Sequence, residues 1–224
     1  MGETLSLPAD EAHHVLKVLR ARAGDAIEVV DAQRRLFVAE LRVGAEAAIL
    51  ESLEAHDVEF ELSLYQAVPK GGRMDLVVEK ATEVGATRIF PLVTRRGVVE
   101  PRDGKVERWR RVAAAAARQS LRLRVPDVQE PVLFSEAVWQ AAEGGVLLHN
   151  DPGLKALEDV VISPVSLFVG PEGGWSEEEM EVAEEAGLAF AQLGPFRLRS
   201  ETAGMVAAAR TSAALESRRL TERS

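Results

Sequence analysis

The chain has 224 residues, 46% hydrophobic and 28% charged, with 27 Lys and Arg against 36 Asp and Glu and a net charge of −9. That length and apolar content suit one large domain or a large and a small one, and exclude disorder and fibrous architecture. The absence of cysteine excludes disulfides, zinc–thiolate clusters and thiol nucleophiles, and the four histidines are too scattered for a His-rich metal site. The start, Met1-Gly2-Glu3-Thr4, lacks a basic segment followed by an apolar run. No stretch reaches the ~18 consecutive apolar residues of a membrane span, so a cytoplasmic protein without a membrane segment is expected.

The first 60-odd residues read mostly as β. A short strand near Thr4–Leu7 precedes a helix from Pro8 to Arg20, and strand-length apolar runs follow at Ile27–Asp31, Leu36–Leu41 and Ala48–Leu53. Polar or Gly-containing turns separate them, and a small β-barrel would bury them. From Glu61–Val68 onward strands alternate with helices, the pattern of a parallel sheet. Helices are expected at Arg73–Gly85, Lys105–Leu121, Ser135–Ala142, Ser176–Ala186 and Glu201–Glu216, and strands at Arg88–Val93, Val146–His149, Val165–Val169 and Ala189–Leu193. The change of texture lies within residues 57–72, giving domains of 1–66 and 67–224.

Charge is uneven along the chain. Residues 67–126 hold 14 basic and 6 acidic side chains, against 6 and 13 before them and 7 and 17 after. Such a local excess either binds phosphates or forms a solvated face paired with the acidic flanks. At 100° per residue, Arg108, Arg111, Arg118 and Arg122 share an arc of about 80° on the helix from Lys105. Trp109, Ala113, Ala116, Ala117 and Ser120 fall on the opposite side, a small-residue face able to approach a sheet. An outward basic ridge suits RNA backbone contact. Trp109 and Trp139 both lie on apolar helix faces and are expected in the core. His13 and His14, about 100° apart on a helix, are assigned no metal.

The most unusual segment runs Val169-Gly170-Pro171-Glu172-Gly173-Gly174-Trp175-Ser176-Glu177-Glu178-Glu179, a buried strand, a glycine loop and a helix start. Glycines beyond a strand's carboxyl end let backbone approach a ligand. Ser176-x-x-Glu179 fits a capping box, and three glutamates in the first turn occupy the positive end of the helix dipole, so a phosphate would be repelled. No phosphate-cradling motif occurs elsewhere. The expected ligand is uncharged or cationic, with Trp175 a candidate cover. A second loop, Leu193-Gly194-Pro195-Phe196-Arg197-Leu198-Arg199-Ser200-Glu201-Thr202-Ala203, also follows a strand and enters an alanine-rich helix. If the two loops converge they form one pocket with Arg197, Arg199 and Glu201 at its mouth; otherwise the arginines and Glu201 read as structural ion pairs.

These two loops resemble the RsmE family of ribosomal RNA uridine-N3 methyltransferases, SPOUT-class enzymes that use S-adenosylmethionine. The resemblance extends through His13–Asp25, which is similar to the family's RNA-binding, PUA-like barrel, through Lys80-Ala81-Thr82-Glu83-Val84-Gly85, and through Gln119-Ser120 with Arg124-Val125-Pro126. Gly97 stands where serine is usual, Arg118 where an acid is, Leu121 where glycine is and Ser200 where threonine is. The resemblance implies an α/β fold: a SPOUT-type parallel sheet flanked by helices with a C-terminal trefoil knot, preceded by a small PUA-like β-barrel, and a homodimer through the knotted region. It implies a cofactor site of Leu148, Gly170, Pro171, Glu172, Gly173, Leu193, Gly194, Leu198 and Ala203. Glu201 or Glu172 is the candidate base for the uracil N3 proton, with Arg199 or Arg197 against charge developing on the uracil oxygens. RNA contacts are expected from Arg20, Arg22, Arg108, Arg111, Arg118, Arg122 and Arg197, and the implied partner is ribosomal RNA or the small ribosomal subunit. Methylation of another RNA, and a non-enzymatic RNA-binding module, are the alternatives.

Overall fold

The computed structural model describes residues 3–54, 57–97, 104–141 and 144–222. The chain divides into two compact units, Met1–Asp57 and Val58–Ser224. This boundary precedes the expected one after residue 66, because the strand Leu62–Ala67 is buried at every position and belongs to the second unit's sheet.

In the first unit β1 (Thr4–Ser6), β2 (Ala26–Val30), β3 (Leu36–Arg42) and β4 (Glu46–Leu53) form an antiparallel sheet in the order β1-β4-β3-β2. Among the described residues no pairing joins β2 to β1, so the ladder itself is open. Strand β3 alternates inward Phe37, Ala39 and Leu41 with less buried neighbours, the period-2 signal of a sheet with one covered face. Helix α1 (Ala9–His13) continues as a π turn over His14–Val18, and Arg20 sits at φ +57, past the helix rather than inside it.

The second unit is a parallel sheet with helices on both faces. Its strands are β5 (Leu62–Ala67), β6 (Arg88–Val93), β7 (Asp127–Val128), β8 (Val132–Leu133), β9 (Gly145–Leu148), β10 (Lys155–Ala156), β11 (Val165–Val169) and β12 (Ala189–Gln192). The order is β10-β12-β9-β11-β5-β6-β7, with β8 also on β6. The two-residue strands β7, β8 and β10 carry no sequence period and were not expected. Central strands β5 and β11 have no exposed residue, as a parallel sheet covered on both sides requires.

Alternation along these strands sorts the core into two layers. Leu62, Leu64, Leu167 and Val169 pack with α2 (Met74–Glu83), α3 (Lys105–Gln119) and α6 (Ser200–Glu222) through Val77, Trp109 and Ala207. Tyr65, Leu147 and Phe168 pack instead with α4 (Phe134–Gln140) and α5 (Glu177–Glu185) through Phe134, Val138 and Ala183. In the second layer Phe90, Tyr65 and Phe168 stack across three adjacent strands with centroids 4.3 and 4.5 Å apart. Burial among these rings raises the Tyr65 hydroxyl above its ordinary pKa.

Helix α3 confirms its small-residue face: Ala113, Ala116 and Ala117 are buried and Trp109 is 2% exposed. Its end differs from expectation. Leu121 adopts φ +55, and the amides of Leu121 and Arg122 turn back to Arg118 O and Ala117 O at 3.2 and 2.9 Å, a Schellman termination. A left-handed leucine is sterically unfavourable and announces nothing in sequence. The helix therefore stops at Gln119, and Arg122 leaves the ridge to donate from Nη1 to the carbonyls of Thr82 (2.9 Å) and Ala86 (2.7 Å). Trp139, expected in the core, is 60% exposed, because α4 turns Phe134, Ala137 and Val138 inward instead. The expected last residue of that helix, Ala142, lies outside the described residues.

Helix α6 is tied to the turn after β10 by the Arg210–Glu158 ion pair, and Arg210 Nη1 also donates to Leu193 O at 2.6 Å. The Arg210 guanidinium holds the Glu158 carboxyl below its ordinary value of 4.5, so the pair stabilises the fold above that pH and is lost as pH falls through the depressed value. Glu158→Gln is therefore expected to lower the denaturant midpoint at pH 7, with the deficit relative to the parent shrinking as pH falls below 4.5. A deficit independent of pH would remove the charge from the explanation.

Candidate active site

Strands β12, β9 and β11 are neighbours, and all three point the same way. Their carboxyl ends therefore release three loops side by side, at 148–150, 169–175 and 193–198, and the first turn of α6 closes the fourth side. Together they line an open cleft whose envelope, solvent included, is about 770 Å3. The expected convergence of the two glycine loops is present.

Leu148, Gly170, Pro171, Glu172, Leu193, Leu198 and Ala203 all line this cleft. Gly173 and Gly194 do not. Gly173 faces Arg96, whose Cβ lies 3.1 Å from where a side chain would begin, and the amide of Gly194 turns to the Gln192 side chain at φ +124. Gly174 lines the cleft in place of Gly173. Sequence reasoning missed His149, Asn150, Phe196 and Ser200 as lining residues; the signal was their position one to four residues beyond a strand end or at a helix start. Arg197, expected at RNA, is also in the wall, while Arg199 is exposed outside it.

Trp175 is part of the wall rather than a loose cover. It is buried, its Nε1 donates to Leu148 O at 3.0 Å, and its ring meets Phe134 at 4.8 Å, joining the site to the aromatic stack. The loop before it is held from outside. Arg96 Nη1 donates to Trp175 O at 2.8 Å and Gly173 O at 3.3 Å, and the Lys70 amide donates to Glu172 Oε1 at 3.3 Å.

Helix α5 begins with the expected capping box. Ser176 Oγ accepts from the Glu179 amide (3.2 Å), and the Ser176 amide donates to Glu179 Oε2 (2.8 Å). Glu179 Oε1 in turn accepts from the Arg95 amide at 2.8 Å. Hydrogen bonds from its own backbone N–H and from Ser176 hold the Glu178 carboxyl below its ordinary pKa, and Arg95 adds to this. The Ser176 and Glu179 amides at this helix start are thus already paired, with the Glu179 carboxylate and the Ser176 hydroxyl. Apolar walls from Leu148, Val169, Leu193, Leu198 and Trp175 beside Glu172 suit a flat heteroaromatic group carrying a positive charge nearby.

Glu201 is buried and paired with Arg73 Nη1 at 3.1 Å through Oε1; Oε2 is buried with no hydrogen-bond partner among the described residues. It lies outside the cleft wall, whereas Glu172 is in it. Arg108, Arg111 and Arg118 are exposed on α3, with Arg108 bound to Asp75 through Nε at 2.8 Å. Arg20 and Arg22 are exposed in the first unit. Among the described residues no group of three His, Asp or Glu side chains could hold a metal ion, and no helix is long and apolar enough to cross a membrane.

The class of the protein follows from the family models that match this parallel-sheet unit and the small β unit before it. Residues 56–212 match the RNA methyltransferase domain and residues 7–51 the RNA methyltransferase PUA domain. The ribosomal RNA small subunit methyltransferase E of Synechocystis is 34% identical over 96% of this chain and 74% of its own length, and that of Mycobacterium bovis is 32% identical over 92% and 85%. The crystal structure of the Neisseria gonorrhoeae ribosomal RNA small subunit methyltransferase E bound to S-adenosyl methionine superposes with a TM-score of 0.84, at 31% identity over 96% of this chain and 93% of that one. A Legionella pneumophila methyltransferase in complex with the same cofactor gives 0.82 at 31% identity, covering 95% and 93%. The chain belongs to the ribosomal RNA small subunit methyltransferase E family, RsmE.

The packing of Gly170 offers a direct check on this wall. A Cβ there would lie 3.0 Å from Trp175 Cε2 and 3.2 Å from Nε1. Gly170→Ala is expected to displace the indole from Leu148 O and cost about 1–2 kcal/mol in denaturant unfolding, with a red-shifted Trp175 emission. Unchanged stability and emission would mean the loop yields freely.

Proposed function

We propose that this protein transfers a methyl group from S-adenosylmethionine to N3 of a specific uridine in the small-subunit ribosomal RNA, within the assembled subunit. The observation that carries the reading is the self-capped start of α5 beside an apolar, carboxylate-bearing cleft. A nucleotide cofactor would meet carboxylates where it needs donors, whereas an adenosyl sulfonium meets apolar walls and Glu172. Family membership and the cofactor-bound relatives support it further.

When bound, S-adenosylmethionine supplies an electrophilic methyl on a positively charged sulfur. Leu148, Leu193 and Leu198 would hold its flat base, with the backbone at Gly170 bordering it. The cleft lies open, so the target uracil enters unstacked from its neighbours. Holding the nucleophile in line with the methyl supplies much of the acceleration. Glu172, in the wall, and Glu201, outside it with one oxygen unpartnered among the described residues, are the two carboxylates for the N3 proton. Arg197 at the wall and Arg199 outside it balance charge developing on the uracil oxygens. Arg20, Arg22, Arg108, Arg111 and Arg118 serve the RNA backbone, with Arg122 withdrawn from that set by its carbonyl contacts. The reading includes the trefoil threading of residues beyond β9 and a homodimer through that region, in the cytoplasm.

Incubation with labelled S-adenosylmethionine and small subunits from a strain lacking the modification is expected to yield labelled N3-methyluridine on digestion. Label in another nucleoside would redirect the base specificity, and cofactor binding without label would redirect the substrate. Glu201→Gln is expected to cut turnover about 10²-fold or more while leaving cofactor binding intact; the same loss in Glu172→Gln alone would move the base there.

A further inference from the structure

We infer that Gln66 is a positioning residue for the methyl-donor site, acting through Ser200 on the Gly170 carbonyl; the inference rests on the cofactor reading above. Gln66 is fully buried in the middle of the sheet, on β5, away from the cleft wall. A primary amide buried there is costly unless its donors are used. Both are: Nε2 donates to Ala67 O at 2.9 Å and to Ser200 Oγ at 2.9 Å.

These contacts have a direction. A backbone carbonyl only accepts, so the amide nitrogen must face Ala67 O, and the same nitrogen then donates to Ser200. Ser200 has one proton, and it goes to Gly170 O at 2.6 Å. The relay runs from the sheet's centre, through the first residue of α6, to the loop leaving β11. It joins the two glycine loops, since Ser200 follows one and Gly170 opens the other, and both residues line the cleft.

The Gly170 carbonyl is the only handle on its peptide. The next residue is Pro171, which has no N–H, so no donor on that peptide can orient it. Without the relay, the Gly170 carbonyl loses its side-chain donor. Room for the relay is built in on the other side. Gln66 Oε1 faces Gly204, where a Cβ would lie 2.0 Å away, and it has no hydrogen-bond partner among the described residues. The structure thus accepts an unsatisfied amide oxygen and a glycine inside α6 in order to keep Nε2 on Ser200. A role confined to packing would be met by leucine or methionine at 66 and alanine at 204.

The test compares the full-length protein with Gln66→Met, Ser200→Ala and the double variant. Calorimetry with S-adenosylmethionine and steady-state methylation of small subunits are the readouts, at temperatures well below each melting point. Each single variant is expected to weaken cofactor affinity about tenfold, with KM for the cofactor rising in step and most turnover recovered at saturation. The double variant is expected to be no worse than the weaker single, because both break one chain. Losses that multiply, or an unchanged KM with lowered melting temperature, would overturn the relay and leave Gln66 a packing residue. If Gln66→Met does not fold, Ser200→Ala still decides through its KM. A second readout needs no ligand: in 5-fluorotryptophan-labelled protein the Trp175 resonance, assigned by Trp175→Phe, should move in both single variants while those of Trp109 and Trp139 stay. A stationary Trp175 resonance would also overturn the inference. Parent protein that binds no cofactor but shows the Trp175 shifts would sink the proposed function and keep the relay.

Discussion

Strand β11 has no exposed residue, and both of its hydrogen-bonding edges are occupied, by β9 and by β5. A strand so enclosed cannot shift by one residue without exchanging Phe168 and Leu167 between two differently packed layers. Its register therefore fixes where Val169 ends and where Gly170 begins. Everything at the cleft is measured from that point: the loop to α5, the Trp175 wall and the carbonyl that Ser200 reaches.

The loop beyond β11 is glycine-rich yet well held, because its contacts come from outside it. Arg96 and the Lys70 amide approach from the turns after β6 and β5, and the aromatic stack runs beneath from Phe90 to Phe168 and on, through Phe134, to Trp175. The glycines let the chain pass close to a ligand, and neighbouring strands supply the rigidity. Binding geometry then requires little ordering when a ligand arrives, which favours affinity.

Electrostatics at the site are arranged by exclusion. The chain as a whole is acidic, and the start of α5, next to the loop that lines the site, spends its Ser176 and Glu179 amides on Glu179 and Ser176. Arg197 stands in the cleft wall, while Arg108, Arg111 and Arg118 are exposed on α3 outside the lining. Local sequence carried much of this. The capping box, the burial of Ala113, Ala116 and Ala117, and the strand-loop-helix order of both glycine segments follow from spacing alone. Three readings on α3 and α4 did not survive folding: Leu121 ends α3 in a left-handed conformation, Arg122 turns inward to two carbonyls, and Trp139 faces solvent. Each depends on a partner far away in the chain or on a backbone state that leucine seldom adopts.

By itself the sequence determined the elements and the chemical character of the site: alternating strands and helices after residue 60, two glycine loops at strand ends, and a helix start that refuses phosphate. Those properties arise from contacts within a few residues, where hydrophobic period, capping and turn chemistry act. Tertiary structure alone decided that the loops share one cleft, since β12, β9, β11 and β5 are neighbours in an order unlike their order in the chain. It also decided which residues face that cleft, setting Gly173 and Glu201 outside it and Ser200 and Phe196 in its wall. The pairing of Gln66 with Ser200 spans 134 residues. No local rule reaches that far, because only the burial of both strand faces brings those two side chains together.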